Sequence, residues 1–251
     1  MDINRNKISA VIITKNEEAN IERCLTSISW VDEIVVVDSG STDRTLEICK
    51  KYNCKIIETE WLGFGSTKKL AVDNATYDWI FSIDSDEEVT GILKSKIELI
   101  LTDPKNNGYR IKRKSFYLER LIKHCGWNSD FPLRLFNKNF GNFNDKEVHE
   151  SVVLNGDISK INEHMLHYTY PTIEVHLKKI NRYSTIQAEE MYKLGKRYPI
   201  VLAVFFGLNK FANTYLFNLG ILDGREGFIL CSIASFGVYL KYAKLWKLNK
   251  N

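Results

Sequence analysis

The stretch Trp79-Ile80-Phe81-Ser82-Ile83-Asp84-Ser85-Asp86 decides how this chain is read. Four apolar residues run straight into two carboxylates, the pattern of a buried strand that delivers acids to its C-terminal edge. Open α/β sheets bind their ligands at that edge. A turn at Ser85 is expected to bring Asp84 and Asp86 toward one oxyanion-rich ligand, where a divalent cation would reconcile the two negative charges. Hard cations such as Mg²⁺ or Mn²⁺ take few protein carboxylates and keep positions for phosphate oxygens, so the spacing points to a metal that holds a nucleotide diphosphate. Glu87 and Glu88 follow at once, and an ordinary solvated acidic loop would read the same way.

The preceding sequence repeats the arrangement. Ile8-Ser9-Ala10-Val11-Ile12-Ile13-Thr14 reads as a buried strand, and Ile21, Cys24, Leu25 and Ile28 follow at helical spacing, with Asn16 as candidate N-cap. Ile34-Val35-Val36-Val37 reads as a second strand ending at Asp38, followed by a helix carrying Leu46, Cys49 and Tyr52. Lys55-Ile56-Ile57-Glu58 is a third strand, and a helix over 66–75 leads to the strand ending at Asp84. Alternating strands and helices place their polar loops on one edge of a sheet. Asn16 and Asp43 are read either as ligand contacts or as helix caps, and Lys68-Lys69 either as a nucleotide contact or as a solvated helix face.

These blocks resemble a known family. The runs Ile12-Ile13-Thr14-Lys15-Asn16-Glu17-Glu18, Val37-Asp38-Ser39-Gly40-Ser41-Thr42-Asp43 and Trp79 through Glu87 are similar to the amino-terminal half of family 2 inverting glycosyltransferases. Phe131-Pro132-Leu133-Arg134-Leu135-Phe136 and Val148-His149-Glu150 resemble the branch that adds a hexose, often β-linked glucose, to the inner core of bacterial lipopolysaccharide. The resemblance implies a nucleotide-sugar-binding open α/β sheet flanked by helices, of the glycosyltransferase A type. It implies uridine contacts at Thr14, Asn16, Glu17, Asp38 and Ser41, a basic residue near the nucleotide at Lys68, and Asp84 facing the nucleotide. Asp86 would ligate Mg²⁺ or Mn²⁺, with His149 a further metal ligand or a phosphate contact. Inversion in one displacement needs a carboxylate within hydrogen-bond reach of the acceptor hydroxyl. The Glu-Asp pair that many members use is missing from the matching region, which leaves Glu150 as first candidate base and Asp130 as second. Arg134 would support the diphosphate or an anionic acceptor, or be a surface ion pair. The implied donor is a UDP-sugar, UDP-glucose first, and the acceptor a glycolipid.

Composition bounds this reading. The 251 residues, 44% apolar, suit one α/β domain over 1–165 with a helical extension over 166–251. Net charge is a mild +4, concentrated at Lys112-Arg113-Lys114, Arg120 and Lys123 and again at Lys241, Lys244, Lys247 and Lys250, clusters that read as favouring anionic surfaces, including phospholipid or phosphorylated glycolipid, or as ordinary solvated charge; no nucleic-acid partner is expected. Five cysteines lack a Cys-X-X-Cys pair, which indicates a reducing cytoplasm. Met1 to Lys7 is polar, unlike a secretory leader. The apolar runs at 200–206 and 228–240 fall short of the ~20 residues of a spanning helix. With the lysines that follow, they read as interfacial helices that hold the protein peripherally on the inner face of the cytoplasmic membrane, or as a packed subdomain or dimer face. His164, His167 and His176 read as structural or acceptor-side residues. A Rossmann dehydrogenase is disfavoured because Thr14-Lys15-Asn16-Glu17 lacks the phosphate-binding glycines. A metal-dependent phosphatase of the haloacid dehalogenase type would have Thr or Val where Glu88 stands. A non-catalytic membrane-surface nucleotide-binding adaptor is the remaining alternative; oligomeric state is open.

Overall fold

The computed structural model describes residues 5–128, 130–145 and 150–250. Strands β1 (Ile8–Thr14), β2 (Glu33–Asp38), β3 (Lys55–Glu58) and β4 (Trp79–Ser82) alternate with helices α1 (Ile21–Ser27), α2 (Thr45–Lys51) and α3 (Phe64–Asp73). The four strands lie parallel in the order β3-β2-β1-β4. Val11 and Ile12, and likewise Ile80 and Phe81, point into two different cores, so these strands are covered on both faces. That is why they read as continuous apolar runs rather than alternating ones. Each fully buried Val, Ile or Phe side chain contributes about 1.5–3 kcal/mol of transfer free energy. The register sets Thr14 beside Asp38 and Asp38 beside Glu58, which brings the strand ends level on one edge.

The chain then becomes mixed. β5 (Glu87–Val89) and α4 (Gly91–Thr102) follow, with the Thr90 hydroxyl accepting from the Leu93 amide to start the helix. β6 (Gly108–Tyr117), β7 (Arg120–Leu121), β8 (Leu133–Asn137), β9 (Gly141–Phe143), β10 (Val152–Leu154) and β11 (Ile158–Tyr170) complete the strands. The sheet continues from β4 through β8, β6 and β11 to β5, with antiparallel pairs at β4–β8, β8–β6 and β11–β5. Between β6 and β8 the register steps from Tyr109↔Leu135 to Arg110↔Leu133, which leaves Arg134 as the extra residue of a bulge. Bulges of this kind re-aim a side chain.

Two compact units emerge, Met1–Arg113 with Asp130–His167, and Lys114–Ser129 with Tyr168–Asn251. The second groups 114–129 with the carboxy-terminal helices, a long-range association that a single linear boundary near 165 does not contain. It holds α5 (Ile173–Lys193), α6 (Ile200–Phe211) and α7 (Gly224–Leu248), the last two joined by a π-helical turn at Ala212–Phe217 and a 3-10 turn at Gly220–Asp223. A Cβ on Gly227 would lie 2.2 Å from the Gly220 carbonyl oxygen, so only glycine allows the first turn of α7 to pack there. Two expectations are corrected in this unit. The stretches Ile200–Phe217 and Gly220–Leu248 are by length and composition long and apolar enough to cross a membrane, because α6 continues into the segment Ala212–Phe217 and α7 runs through its lysines instead of stopping at them. Lys244, expected in a lipid-facing cluster, donates at 2.8 Å to the carbonyl and side chain of Asn181 and to the Ser184 and Thr185 hydroxyls, and so ties α7 to α5.

Candidate functional site

The site begins with two strand-end loops zipped to each other. The Asn16 amide donates to Ser41 Oγ at 2.9 Å, the Glu17 amide to Thr45 Oγ1 at 2.8 Å and the Glu18 amide to Asp43 Oδ2 at 3.1 Å. In return Asn16 Oδ1 accepts from the Thr42 amide at 2.8 Å. Asn16, read as either a ligand contact or the cap of α1, has φ +56 and stands clear of a helix that starts only at Ile21, so it is not the cap. Its amide side chain braces the second loop instead. Asp43 does serve the start of α2, accepting from the Thr45 amide at 3.0 Å. Asp38 folds its own loop: Oδ2 accepts from the Gly40 and Ser41 amides at 2.9 and 2.8 Å, and Oδ1 from the Ser41 hydroxyl at 2.5 Å. Gly40 takes φ +84, where other residues are strained. Beside these, Thr14 Oγ1 and Ser39 Oγ are buried and have no hydrogen-bond partner among the described residues. The Ser39 amide donates to the Thr14 carbonyl at 3.0 Å, which sets the two hydroxyl-bearing residues side by side.

A chain of alternating charge continues from β4. The expected turn forms at Ser85, closed by the Glu87 amide on the Asp84 carbonyl at 3.0 Å. Lys68 Nζ lies 2.9 Å from Glu150 Oε1 and 3.0 Å from Asp84 Oδ1. Arg134 reaches Asp84 Oδ2 at 2.5 Å and Glu87 Oε1 at 2.6 Å. Arg113 bridges Glu87 at 3.1 Å and Asp130 at 2.5 Å. The sequence runs Glu150, Lys68, Asp84, Arg134, Glu87, Arg113, Asp130. Asp86 stands beside it, with Oδ2 3.3 Å from His167 Nε2. Lys68 at 7% and Arg134 at 4% relative exposure are buried, which settles against a solvated helix face and a surface ion pair. Glu87, expected in a solvated loop, is 0% exposed, because two guanidinium groups compensate its charge. Breaking one partner from such a buried pair generally costs about 3–5 kcal/mol.

Burial opposes ionisation of Asp84, but Arg134 and Lys68 outweigh it and hold the carboxyl well below its usual range. Burial likewise opposes the charge on Lys68, and Asp84 with Glu150 more than restores it. The cluster therefore stays charged. Five carboxylates (Asp84, Asp86, Glu87, Asp130, Glu150) face three cations (Lys68, Arg113, Arg134), leaving an excess of two negative charges, that of a divalent cation. Among the described residues no three His, Cys, Asp or Glu side chains are grouped as a metal cage. Asp84 and Asp86 across one turn are still the one or two carboxylates that a hard cation takes when phosphate and water supply the rest. The donor set, Asp84 and Asp86 across one turn, fits Mg²⁺ or Mn²⁺.

Of the residues expected from sequence, Lys68, Asp84, Arg134, Glu150 and Asp130 belong to one ionic chain, and Asp86 adjoins it. Thr14, Asn16, Glu17, Asp38 and Ser41 form the neighbouring loop pair. His149 lies outside the described residues. Sequence reasoning left Glu87 and Arg113 out of the site, and read His167 only as a structural or acceptor-side residue. The signals for Glu87 and Arg113 were weak, a third acid after Asp-X-Asp and one arginine inside a basic run.

The chain is similar to known proteins. The glycosyl transferase family 2 profile matches residues 9–146. An uncharacterized glycosyltransferase of Rickettsia bellii is 34% identical, over 97% of this chain and 87% of its own. The lipopolysaccharide core biosynthesis glycosyltransferase LpsC of Rhizobium meliloti is 28% identical, over 96% of this chain and 92% of its own. The crystal structure of Staphylococcus aureus TarS 1–349 in complex with UDP-GlcNAc superposes with a TM-score of 0.50 at 15% identity, covering 97% of this chain and 91% of that one. The last likeness bears on the fold, a mixed open sheet flanked by helices.

Proposed function

From the premise that this chain belongs to glycosyl transferase family 2, we propose that it moves a hexose, glucose first, from a UDP-sugar to a hydroxyl of a lipopolysaccharide core or related glycolipid, with inversion. The observation that carries the donor reading is the meeting of Lys68, Asp84, Asp86 and Arg134 at the strand edge beside the unpartnered hydroxyls of Thr14 and Ser39. An unpaired buried polar group costs about 1–3 kcal/mol, and a pyrimidine or ribose that hydrogen-bonds to those hydroxyls would remove the cost. Structures of a related fold carry a UDP-sugar, and LpsC is named for the lipopolysaccharide core.

Each residue then has a task. The loops, braced by Asn16, Asp38, Ser41 and Asp43, form a rigid floor for the nucleotide, so little ordering is lost on binding. Lys68 and Arg134 would meet the diphosphate oxygens. A divalent cation on Asp86 would supply Lewis-acid stabilisation of the departing diphosphate. Glu150, held by Lys68, takes the acceptor proton as the hydroxyl oxygen attacks the anomeric carbon and its bond to the UDP oxygen breaks. Asp130, clasped by Arg113, is the second candidate for that proton.

The second unit supports attachment to the cytoplasmic leaflet. Leu216, Phe217, Leu219, Ile221 and Leu222 are exposed at the turn between α6 and α7, with Phe217 80% exposed. Exposed Lys123, Lys210 and Arg225 lie in the segments that flank them in sequence or pack on them, a charge pattern complementary to anionic lipid. A polar turn would be expected if the two helices spanned the bilayer and returned; this one is apolar and suits insertion at the interface. The donor assignment is tested by UDP release from a panel of nucleotide sugars, with UDP-glucose expected to turn over fastest. Equal turnover of a guanosine or cytidine sugar would overturn the uridine assignment.

A further inference from the structure

Two of the five cysteines meet inside the second unit. Cys125, on the segment after β7, and Cys231, in α7, bring their sulfurs to 3.6 Å although 106 positions separate them. Both are buried, at 5% and 1% exposure, among Tyr117, Ile122 and Leu230. Gly220 makes room for the pair: a Cβ there would stand 2.9 Å from the Cys125 sulfur and 3.0 Å from that of Cys231. Cys125 itself takes φ +59, a left-handed conformation that few residues with a side chain adopt. Its surroundings therefore hold its sulfur in place.

A cysteine pair kept only for packing is inert in apolar surroundings. This one touches a carboxylate. Asp223, buried, has Oδ2 3.5 Å from the Cys125 sulfur, and it accepts from the Lys123 and His124 amides at 3.1 and 2.8 Å. His124 Nδ1 lies 3.1 Å from Asp223 Oδ1. A hydrogen bond from the Cys125 thiol, assisted by Thr214 and Lys210, pushes the Cys231 thiol down to about 7 against the effect of burial. The other cysteines lack this setting. Burial, with Glu87, Asp86 and Asp84, pushes the Cys24 thiol well up. Cys49 and Cys54 flank one turn after α2, where a bond would fasten nothing distant.

We propose that Cys125 and Cys231 are a reversible oxidation site, closing to a disulfide that staples the 114–129 segment to α7 when a small peroxide reaches the protein. The bond holds its sulfurs about 2.05 Å apart, so they must approach by about 1.5 Å. A small neutral oxidant suits a pair buried this deeply. The Cys231 thiolate attacks one oxygen of hydrogen peroxide and the O–O bond breaks; the hydroxide that departs takes up the thiol's proton as water and leaves a sulfenic acid. The Cys125 sulfur then attacks that sulfur and the S–O bond breaks. The Cys125 proton passes through Asp223 to the departing hydroxide, and a second water leaves. Two thiols lose two electrons, the peroxide gains them, and a dithiol reductant reverses the change.

The test treats the folded full chain with hydrogen peroxide, blocks the remaining thiols and maps the peptides by mass spectrometry. The wild type is expected to lose two of its five thiols to one bond, Cys125 to Cys231, two hydrogens lighter and reversed by dithiothreitol. Closing a loop this long is expected to raise the urea midpoint by on the order of 1 M. Cys125→Ser and Cys231→Ser are expected to show neither the bond nor the rise; if a variant fails to fold, the peptide map and midpoint of the wild type decide alone. Thiols that stay reduced, oxidation to sulfinic acid without a cross-link, a bond mapped to Cys49 and Cys54 instead, or an unchanged midpoint overturns the proposal.

Discussion

Lys68 touches both carboxylates that the proposed reaction needs, one on the donor side and one on the acceptor side. Replacing Glu150 by Gln keeps the shape and removes the proton acceptor, so turnover is expected to fall on the order of a hundredfold with UDP affinity nearly intact. Steady-state kinetics and calorimetry on Glu150→Gln and Asp130→Asn check this; a loss confined to Asp130→Asn would move the base to Asp130. At this scale the sequence is legible where chemistry follows an apolar run. Asp84 and Asp86 were visible because a strand ends in them, and Asp38 because it ends another. Glu87 was not, since a carboxylate that folds back into the protein looks like one that points to water until its two arginine partners, from β6 and β8, are in place. Asn16 misled for a related reason: the residue type that caps helices also braces loops.

Helix α5 carries a titratable group packed as a neutral one. His176 is 1% exposed, and the Tyr117 hydroxyl lies 3.0 Å from its Nδ1. Burial, with a smaller effect of Lys179, pushes the imidazole pKa down to about 4, and burial pushes the Tyr117 phenol up to about 12. The phenol therefore keeps its proton, and the neutral phenol and neutral imidazole share one hydrogen bond. In the unfolded chain the histidine titrates near 6.5. Below that pH the unfolded state takes a proton that the native state refuses, so stability falls as pH drops from about 6.5 toward about 4, by up to about 3 kcal/mol; above 6.5 the effect is absent. Urea unfolding at pH 7 and pH 4.5 is expected to show this loss in the wild type and a smaller one in His176→Gln. Equal losses would refute the assignment. Asp84, held low, contributes its own loss only below the ordinary carboxylate range. Among the elements, β1 to β4 were readable from runs of buried apolar residues. β6 and β11 were not, because their charged residues alternate with core ones and β8 carries a bulge, which together blur the pattern.

For the whole molecule, two expectations combine, attachment to a lipid surface and metal-dependent use of a UDP-sugar. Co-sedimentation with liposomes tests the first. Phe217→Ser with Leu222→Ser is expected to reduce binding to every lipid, while Lys210→Glu with Arg225→Glu removes the salt-sensitive part on anionic vesicles, at about 1 kcal/mol per charge. Identical partitioning of all variants, regardless of lipid, would favour a protein-covered face. The family and the alternation of strands and helices were within reach of the sequence because three motifs fall at the ends of β1, β2 and β4. The grouping of 114–129 with the carboxy-terminal helices was not, since it depends on contacts such as the Lys123 amide with Asp223, a hundred positions away. The most direct test of the central claim is calorimetric titration of UDP into the protein with Mn²⁺ and with chelator, for wild type and Asp86→Ala. The predicted result is binding that needs the metal in the wild type and loses that dependence, with most of its affinity, in Asp86→Ala; UDP binding of equal strength in chelator, or unchanged by the substitution, would contradict it.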